Sequence, residues 1–279
     1  MYKLVAIDLD GTLLDMNKEI SDRNKQAIKR AMEKGVKVVI CSGRVYTGAR
    51  LYAREIGSTD PIIACNGAII TEGLDGDIVY SVYMETEVAV KVNSICQKHG
   101  IYYHVYAGDT LLTEKLGFTS KKYYERNKFL PPEDRVDIEV VKNMEAKLRE
   151  LAGKVLKFVI VSDQPQLLKK VRYEMEQLTE VDVMSSNYDN FEVMKKGVSK
   201  GAALERLSDL LDIPAHMMVA IGDNENDISM FDYAGLSIAM GNGEPEAKAA
   251  AKYVTEANDE DGVAKAIEKF ILAKNQGML

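Results

Sequence analysis

The stretch VAIDLDGTLLD, residues 5–15, joins a short apolar run to two aspartates, and the interpretation of the whole chain begins from it. Residues 4–7 are four apolar side chains without polar alternation, which is typical of a strand buried on both faces of a parallel sheet. Side chains two apart on a strand point to the same face, so Asp8 and Asp10 are expected to converge beyond the carboxyl end of this strand. Open α/β sheets bind their ligands at that end. Neighbouring carboxylates repel each other, so we expect a ligand that offsets the repulsion.

The two residues after the aspartates fit such a site. Gly11 permits a close approach of the backbone, and Thr12 can donate a hydrogen bond into the same loop. The alternative is a capped turn, because aspartate is a common helix cap and turn residue. The pattern D-x-D-G-T directly after an apolar strand is demanding, which favours the ligand site.

A second acidic cluster, GDNENDISM at residues 222–230, also follows an apolar strand. A calcium loop is the rival interpretation, but the glycine that such a loop requires at its sixth position is Ile228 here, and its final glutamate is absent. Asp223, at the strand end, is the better metal-ligand candidate, whereas Asp227 could instead cap the following helix. Two acids from the first strand and one from this turn suit Mg²⁺, which takes one or two carboxylates, waters and a substrate phosphate.

Besides the acids, the sequence offers two elements that could bind an anion through positive charge or hydrogen-bond donors. Ser42, Gly43 and Arg44 end the second predicted strand, where the Ser42 hydroxyl and nearby amides could hold a phosphate oxygen. Lys200 precedes a predicted helix, and a cation at an exposed helix N-terminus is disfavoured by ~0.3–1 kcal/mol. That cost disappears if Lys200 faces a carboxylate or a phosphate, and solvent exposure is the alternative.

Together these groups point to phosphoryl transfer. An aspartate that attacks phosphorus forms an aspartyl-phosphate, which water then cleaves. Mg²⁺ offsets the repulsion between the attacking carboxylate and the phosphate dianion.

Composition narrows the possible partners and location. The net charge of −7 argues against a nucleic-acid or anionic-membrane binder that relies on bulk electrostatics. An anionic ligand must therefore be held by a few local positive groups. The sequence shows neither a signal peptide nor an apolar run approaching the ~20 residues of a membrane span, so we expect a cytoplasmic protein without a nucleic-acid or membrane partner.

Strand and helix patterns alternate near both ends of the chain, which predicts a parallel sheet with helices on both faces. PIIACNGAII, residues 61–70, is predicted to be the third strand of that sheet. From about residue 82 to 190, β-rich stretches mix with helices, which predicts an inserted α+β unit. We therefore expect a core of residues 1–82 and 191–279 and an insert of residues 83–190.

The insert carries none of the chemical motifs, so we expect it to act as a lid that determines specificity. Its basic stretch is interpreted as a solvated helix face, and contact of some members with substrate is the alternative. This stretch comprises Lys121, Lys122, Arg126 and Lys128.

Four motifs in this order resemble those of the haloacid dehalogenase (HAD) superfamily: DLDGT at Asp8–Thr12, SGR at Ser42–Arg44, Lys200, and GDNEND at Gly222–Asp227. The insert, together with NGA at residues 66–68 and GNG at residues 241–243 of the core, resembles the Cof-type branch with its large class IIB cap, which includes YidA-like sugar phosphatases. The resemblance covers nearly the whole chain and is specific in the core but weak in the insert. It implies a Rossmann-like α/β core with an inserted cap domain.

The resemblance also implies a role for each motif residue. Asp8 would be the nucleophile and Asp10 the general acid and base. Three residues would bind Mg²⁺: Asp8, Asp10 through its backbone carbonyl, and Asp223. Four would bind phosphate: Ser42, Gly43, Lys200 and Asn226. Four more would support the site: Thr12, Arg44, Asn66 and Asp227.

These observations predict a Mg²⁺-dependent phosphatase of small phosphorylated metabolites, with sugar phosphates as the first expectation. The alternatives are a phosphatase of a flavin-pathway intermediate or of pyridoxal phosphate, and a mutase-type phosphotransferase. A different class is a non-catalytic sensor of a phosphorylated ligand. The intact pair of Asp8 and Asp10 weighs against a sensor, because binding a phosphate dianion gains nothing from a nearby carboxylate nucleophile.

Overall fold

The computed structural model describes residues 1–273, which contain fourteen strands and ten α-helices. The strands are β1 (Leu4–Ile7), β2 (Lys37–Cys41), β3 (Ile62–Ala64), β4 (Ile69–Thr71), β5 (Ile78–Ser81), β6 (Tyr102–Ala107), β7 (Thr110–Thr113), β8 (Asp137–Val140), β9 (Val155–Val161), β10 (Val181–Met184), β11 (Asn190–Lys195), β12 (Met218–Gly222), β13 (Leu236–Ala239) and β14 (Tyr253–Val254). The helices are α1 (Asp22–Glu33), α2 (Tyr46–Glu55), α3 (Thr86–His99), α4 (Phe118–Asn127), α5 (Met144–Glu150), α6 (Pro165–Met175), α7 (Lys200–Leu211), α8 (Ile228–Tyr233), α9 (Pro245–Ala250) and α10 (Gly262–Ile267). Among the helices of residues 1–273, none combines the length and the apolar character that a membrane crossing requires.

The main sheet has eight strands in the order β14-β13-β12-β1-β2-β3-β4-β5. The six strands from β14 to β3 are parallel, and β4 and β5 add an antiparallel edge. The four residues of β1 are all buried, as its uninterrupted apolar pattern predicts. Helices α1, α2 and α10 pack in one apolar cluster on the sheet, and α7 and α8 pack in another. The predicted α/β fold with helices on both faces is therefore confirmed.

The prediction of a single strand over residues 61–70 is wrong. β3 and β4 are separate antiparallel strands, joined by the turn Cys65–Gly67. The three turn residues have positive φ in succession, 51°, 55° and 96°. A Cβ at Gly67 would lie 2.2 Å from the Ser199 carbonyl oxygen, so this tight reversal against the neighbouring backbone requires glycine.

A second sheet of six strands has the order β10-β11-β9-β6-β7-β8 and is antiparallel except for the β7–β8 pair. Helices α3, α5 and α6 share one apolar cluster with this sheet. A further apolar cluster joins Tyr102, Tyr106 and Leu156 of the second sheet to Val45 and Cys65 of the main unit. The free face of the second sheet is therefore turned toward the main unit.

The second crossing between the units lies later than the expected division at residues 190 and 191. β11 pairs with β9 from Asn190, opposite Val161, to Met194, opposite Lys157. Strand pairing thus assigns all of β11 to the second sheet, and the chain returns to the main unit between Lys195 and Lys200. The four central residues of β11, 191–194, are all buried, as expected for a strand inside the sheet.

Candidate active site

Three buried carboxylates meet at the carboxyl edge of the main sheet. Asp8 follows β1, while Asp223 and Asp227 follow the adjacent parallel strand β12. Ligand oxygens of the three lie within 4.8 Å of one another. Strand order therefore brings together residues that are far apart in the sequence.

Lys200 is the first residue of α7 and is fully buried. Its Nζ donates to Asp8 Oδ1 and to Asp227 Oδ1, each at 2.6 Å. Burial alone would lower the pKa of Lys200, but the carboxylates of Asp227 and Asp8 outweigh it and hold the pKa well above its usual range. The lysine thus faces carboxylates and is not on the solvated surface.

One ammonium group does not balance three buried carboxylates. Burial raises the pKa of Asp8 to about 7 against the opposing effect of Lys200. Burial and the nearby charges of Asp8 and Asp227 raise the pKa of Asp223 well above its usual range. The raised pKa values of Asp8 and Asp223 fit a cation site, because a divalent cation stabilises the ionised forms of these two acids. The donor set therefore fits Mg²⁺.

Within the cluster, Asp223 and Asp227 differ in how their oxygens are used. Asp227 Oδ2 accepts hydrogen bonds from the backbone N–H groups of Asp223 (2.8 Å) and Asn224 (3.1 Å), and its Oδ1 is taken by Lys200. Asp223 Oδ1 accepts from the Thr12 hydroxyl at 2.7 Å. Both oxygens of Asp227 therefore hold the loop backbone and Lys200. The second oxygen of Asp223 is available to bind a metal.

The Asp10 carboxylate is not part of this cluster. It accepts from Nε and a terminal nitrogen of Arg44, both at 2.7 Å, and from Lys18 Nζ at 2.8 Å. Burial favours the protonated acid, but Arg44 and then Lys18 outweigh it and hold the pKa of Asp10 well below its usual range. Asp10 is therefore an ionised carboxylate in this conformation.

Ser42, Gly43 and Arg44 lie at the carboxyl end of β2, next to β1. Ser42 is buried, and its hydroxyl oxygen accepts from the Arg44 backbone N–H. A Cβ at Gly43 would lie 2.8 Å from Asn66 Oδ1, so a side chain there would displace Asn66. This close approach explains the need for glycine in the motif.

The left-handed turn places the Asn66 side chain between the two units. Asn66 Oδ1 accepts from Asn226 Nδ2 at 3.1 Å, and Asn66 Nδ2 donates to Glu192 of β11. Glu192 forms a buried ion pair with Lys157 of β9 at 2.8 Å. A continuous polar chain thus links the loop after β12 to the second sheet.

A family model described as haloacid dehalogenase-like hydrolase matches residues 5–267. The chain belongs to that family. It is 33% identical over 270 residues to 5-amino-6-(5-phospho-D-ribitylamino)uracil phosphatase YcsE of Bacillus subtilis (strain 168), a match that covers 97% of this chain and 96% of the relative. It is 27% identical to pyridoxal phosphate phosphatase YbhA of Escherichia coli (strain K12), with 97% and 99% covered. A crystal structure of a haloacid dehalogenase-like hydrolase from Bacteroides thetaiotaomicron shares the fold at a TM-score of 0.80 and 31% identity, with 96% and 99% covered.

In this hydrolase a cavity of about 280 Å³ lies between the two units. The main unit contributes motif residues to its wall, namely Asp8, Asp10, Ser42, Gly43, Arg44 and Asn226. The second unit contributes Tyr106, Tyr123, Ser186, Asn190 and Glu192. Of the basic stretch, Lys122 and Arg126 line the cavity, and Lys121 and Lys128 do not. The alternative interpretation, contact with substrate, thus fits only these two.

Sequence reasoning missed three charged residues of this hydrolase's site: Lys18, Lys157 and Glu192. Lys157 and Glu192 are each the charged residue within an otherwise apolar strand stretch, KFVIV and FEVM, and that signal could have identified them as a buried pair. Lys18 lies in a polar loop, where one lysine is indistinguishable from a solvated one.

Proposed function

We propose that this hydrolase is a Mg²⁺-dependent phosphatase of small phosphorylated metabolites, with Asp8 as the nucleophile. The observation that carries the proposal is the Asp8 carboxylate, which lines the cavity and is held by Lys200 beside Asp223. Lys200 fixes one oxygen of Asp8, which leaves the other oxygen to attack phosphorus.

The reaction has two balanced steps. In the first, an Asp8 oxygen bonds to phosphorus, the ester P–O bond breaks, and the leaving alkoxide takes a proton from Asp10. In the second, a water oxygen attacks phosphorus, its proton goes to Asp10, and the bond from phosphorus to Asp8 breaks to release phosphate. Mg²⁺, held by Asp8, Asp223 and the Asp10 carbonyl, would offset the repulsion between Asp8 and the phosphate.

The position of Asp10 adds a condition to the first step. A general acid must carry a proton, but the Arg44 guanidinium favours the carboxylate form of Asp10. Asp10 must therefore separate from Arg44 before it can protonate the leaving group. A bound substrate phosphate supplies a competing anion for Arg44, which would release Asp10 at the moment it is needed.

We also propose that residues 83 to about 195 form a cap that closes over the substrate. Contacts between the units hold the cavity shut on more than one side: Arg172 of α6 pairs with Glu225 at 2.8 Å, and Asp109 accepts from the Thr47 backbone N–H at 2.9 Å. Substrate entry requires these contacts to break, and their return would exclude water during transfer.

For the substrate, we propose sugar phosphates. The cap side of the cavity offers hydroxyl and carboxamide groups from Ser186, Asn187 and Asn190, which match the hydroxyl groups of a sugar. The rings of Tyr106 and Tyr123 on the same wall favour a second candidate, a phosphate ester with an aromatic or heterocyclic part. The named activity of the relative YcsE supports that candidate, since its substrate contains a uracil ring.

Phosphate release from a panel of sugar phosphates, pyridoxal phosphate and an aryl phosphate tests this proposal. We expect Mg²⁺-dependent turnover that Asp8→Asn abolishes. Absence of phosphate release from every ester, with tight binding of any of them, would instead identify a non-catalytic sensor. A higher kcat/KM for the ring-bearing ester than for every sugar phosphate would favour the second candidate.

A further inference from the structure

One face of α4, in the cap, lines the active-site cavity. Thr119, Lys122, Tyr123 and Arg126 all contribute to the cavity wall. Their spacing of three and four residues is that of a single helix face. All three lysines of this segment are exposed, but Lys122 borders the cavity, whereas Lys121 and Lys128 do not line it. The helix thus directs two of its cations inward.

The inward cations lack acidic partners, unlike the other cations of the cavity wall. Arg44 and Lys18 both pair with Asp10. Within residues 1–273, neither Lys122 nor Arg126 forms a salt bridge with a carboxylate. Two cations that border the same cavity from one helix face, neither paired with a carboxylate, favour an anionic ligand group there.

Arg126 lies near the phosphate site without being part of it. Its guanidinium carbon is 5.2 Å from the centre of the Tyr52 ring, and that of Arg44 is 4.9 Å from the same centre. Arg44 in turn binds Asp10. A guanidinium packed on a ring keeps its N–H edge free, and that edge matches a phosphate or carboxylate.

We propose that Lys122 and Arg126 form a subsite for a second anionic group, so that this hydrolase prefers phosphate esters that carry a further phosphate or carboxylate. The inference rests on the proposed function, because it needs the first phosphate at Asp8. The second group would lie on the cap side of the substrate, beyond the ester bond that is cleaved. Closure of the cap would bring the two cations onto it.

Competition against p-nitrophenyl phosphate tests the subsite with matched pairs of inhibitors. Fructose 1,6-bisphosphate is compared with fructose 6-phosphate, and 6-phosphogluconate with glucose 6-phosphate. The first pair adds a phosphate and the second a carboxylate, so the two arms separate the possible groups. We expect the wild type to bind at least one doubly anionic inhibitor about tenfold or more tightly than its partner, as expected for charge-assisted hydrogen bonds.

The decisive comparison is between two double variants that remove equal charge from the same segment. Lys122→Met with Arg126→Met should bring the paired inhibition constants to near equality. Lys121→Met with Lys128→Met should keep the wild-type ratio, because these side chains are outside the cavity.

Two results would overturn the subsite while p-nitrophenyl phosphate is still hydrolysed. One is equal inhibition by both members of each pair in the wild type. The other is an equal loss of preference in the two double variants, which would indicate bulk charge attraction. Failure of the wild type to release phosphate from p-nitrophenyl phosphate and from every other ester of the panel would refute the proposed function, and the subsite with it.

Discussion

Replacing Lys157 by Met tests whether the ion pair in the cap supports both the fold and the active site. Lys157 is 1% exposed and Glu192 is 4% exposed, and they are 2.8 Å apart. Loss of the lysine leaves a buried carboxylate whose remaining donors are Ser186 and Asn66. Breaking a buried pair from one side costs about 3–5 kcal/mol, so the free energy of unfolding should fall by that amount.

The assay is urea unfolding followed by circular dichroism. With a slope of about 2–3 kcal/mol per molar urea, the midpoint should fall by about 1–2.5 M. The exposed pair of Lys128 and Glu125 is the matched control, and Lys128→Met should change the free energy by at most about 1 kcal/mol. Equal, small effects of the two substitutions would refute the buried-pair reasoning.

The double variant Lys157→Met with Glu192→Leu separates stability from function. Two apolar side chains of similar volume often replace a buried ion pair without loss of stability, so the midpoint should return toward the wild-type value. Leucine cannot accept the hydrogen bond from Asn66, so Asn66 and Asn226 lose their anchor in the cap. We expect kcat/KM to stay low in this stable variant. Recovery of both quantities would show that the pair has only a structural role.

Three further predictions concern the core and the closure of the cap. Asp8→Asn should reduce turnover more than about 100-fold, or ~2.7 kcal/mol of barrier, with an unchanged circular dichroism spectrum; retained turnover would exclude Asp8 as the nucleophile. Asp10→Asn should lower kcat on a sugar phosphate by ~10²–10⁴-fold and less on an aryl phosphate, whose leaving group hardly needs a proton. Arg172→Gln removes a contact between the cap and the loop after β12, so limited proteolysis at the crossings should be faster than in Lys169→Gln, an exposed control on the same helix.

The positions of the core motifs were predictable because they depend on local pattern and strand order. An uninterrupted apolar strand must be buried on both faces, and residues after parallel strands meet at one sheet edge. Asp8, Ser42 and Asp223 follow from these two rules alone. The pairing of Lys200 with carboxylates was one of two open alternatives, since a lone lysine at a helix start is compatible with either solvent or an acid.

The contacts of the cap were not predictable, because they arise only when two independently patterned sheets meet. No periodicity in the sequence indicates that Glu192 of β11 faces Asn66 of the main unit. The sequence also did not indicate which residues bind the Asp10 carboxylate. The motif places Asp10 beside Asp8, but its carboxylate binds Arg44 and Lys18 and is not part of the cluster of acids. Composition also gave no signal for where the insert ends, since strand pairing decides that β11 belongs to the second sheet.

The turn at Cys65–Gly67 shows how the core and cap depend on each other. Two residues there other than glycine adopt left-handed backbone conformations, which cost about 1–2 kcal/mol each. The interactions of Asn66 explain why such a conformation persists, because the turn directs its amide both to Asn226 in the loop after β12 and to Glu192 in the second sheet. Strain in this turn is therefore offset by one contact within the main unit and one contact with the second sheet. If the cap opens as we propose, the Glu192 contact is lost and Asn66 holds Asn226 less firmly, so we expect the order of Asn226 to depend on closure of the cap.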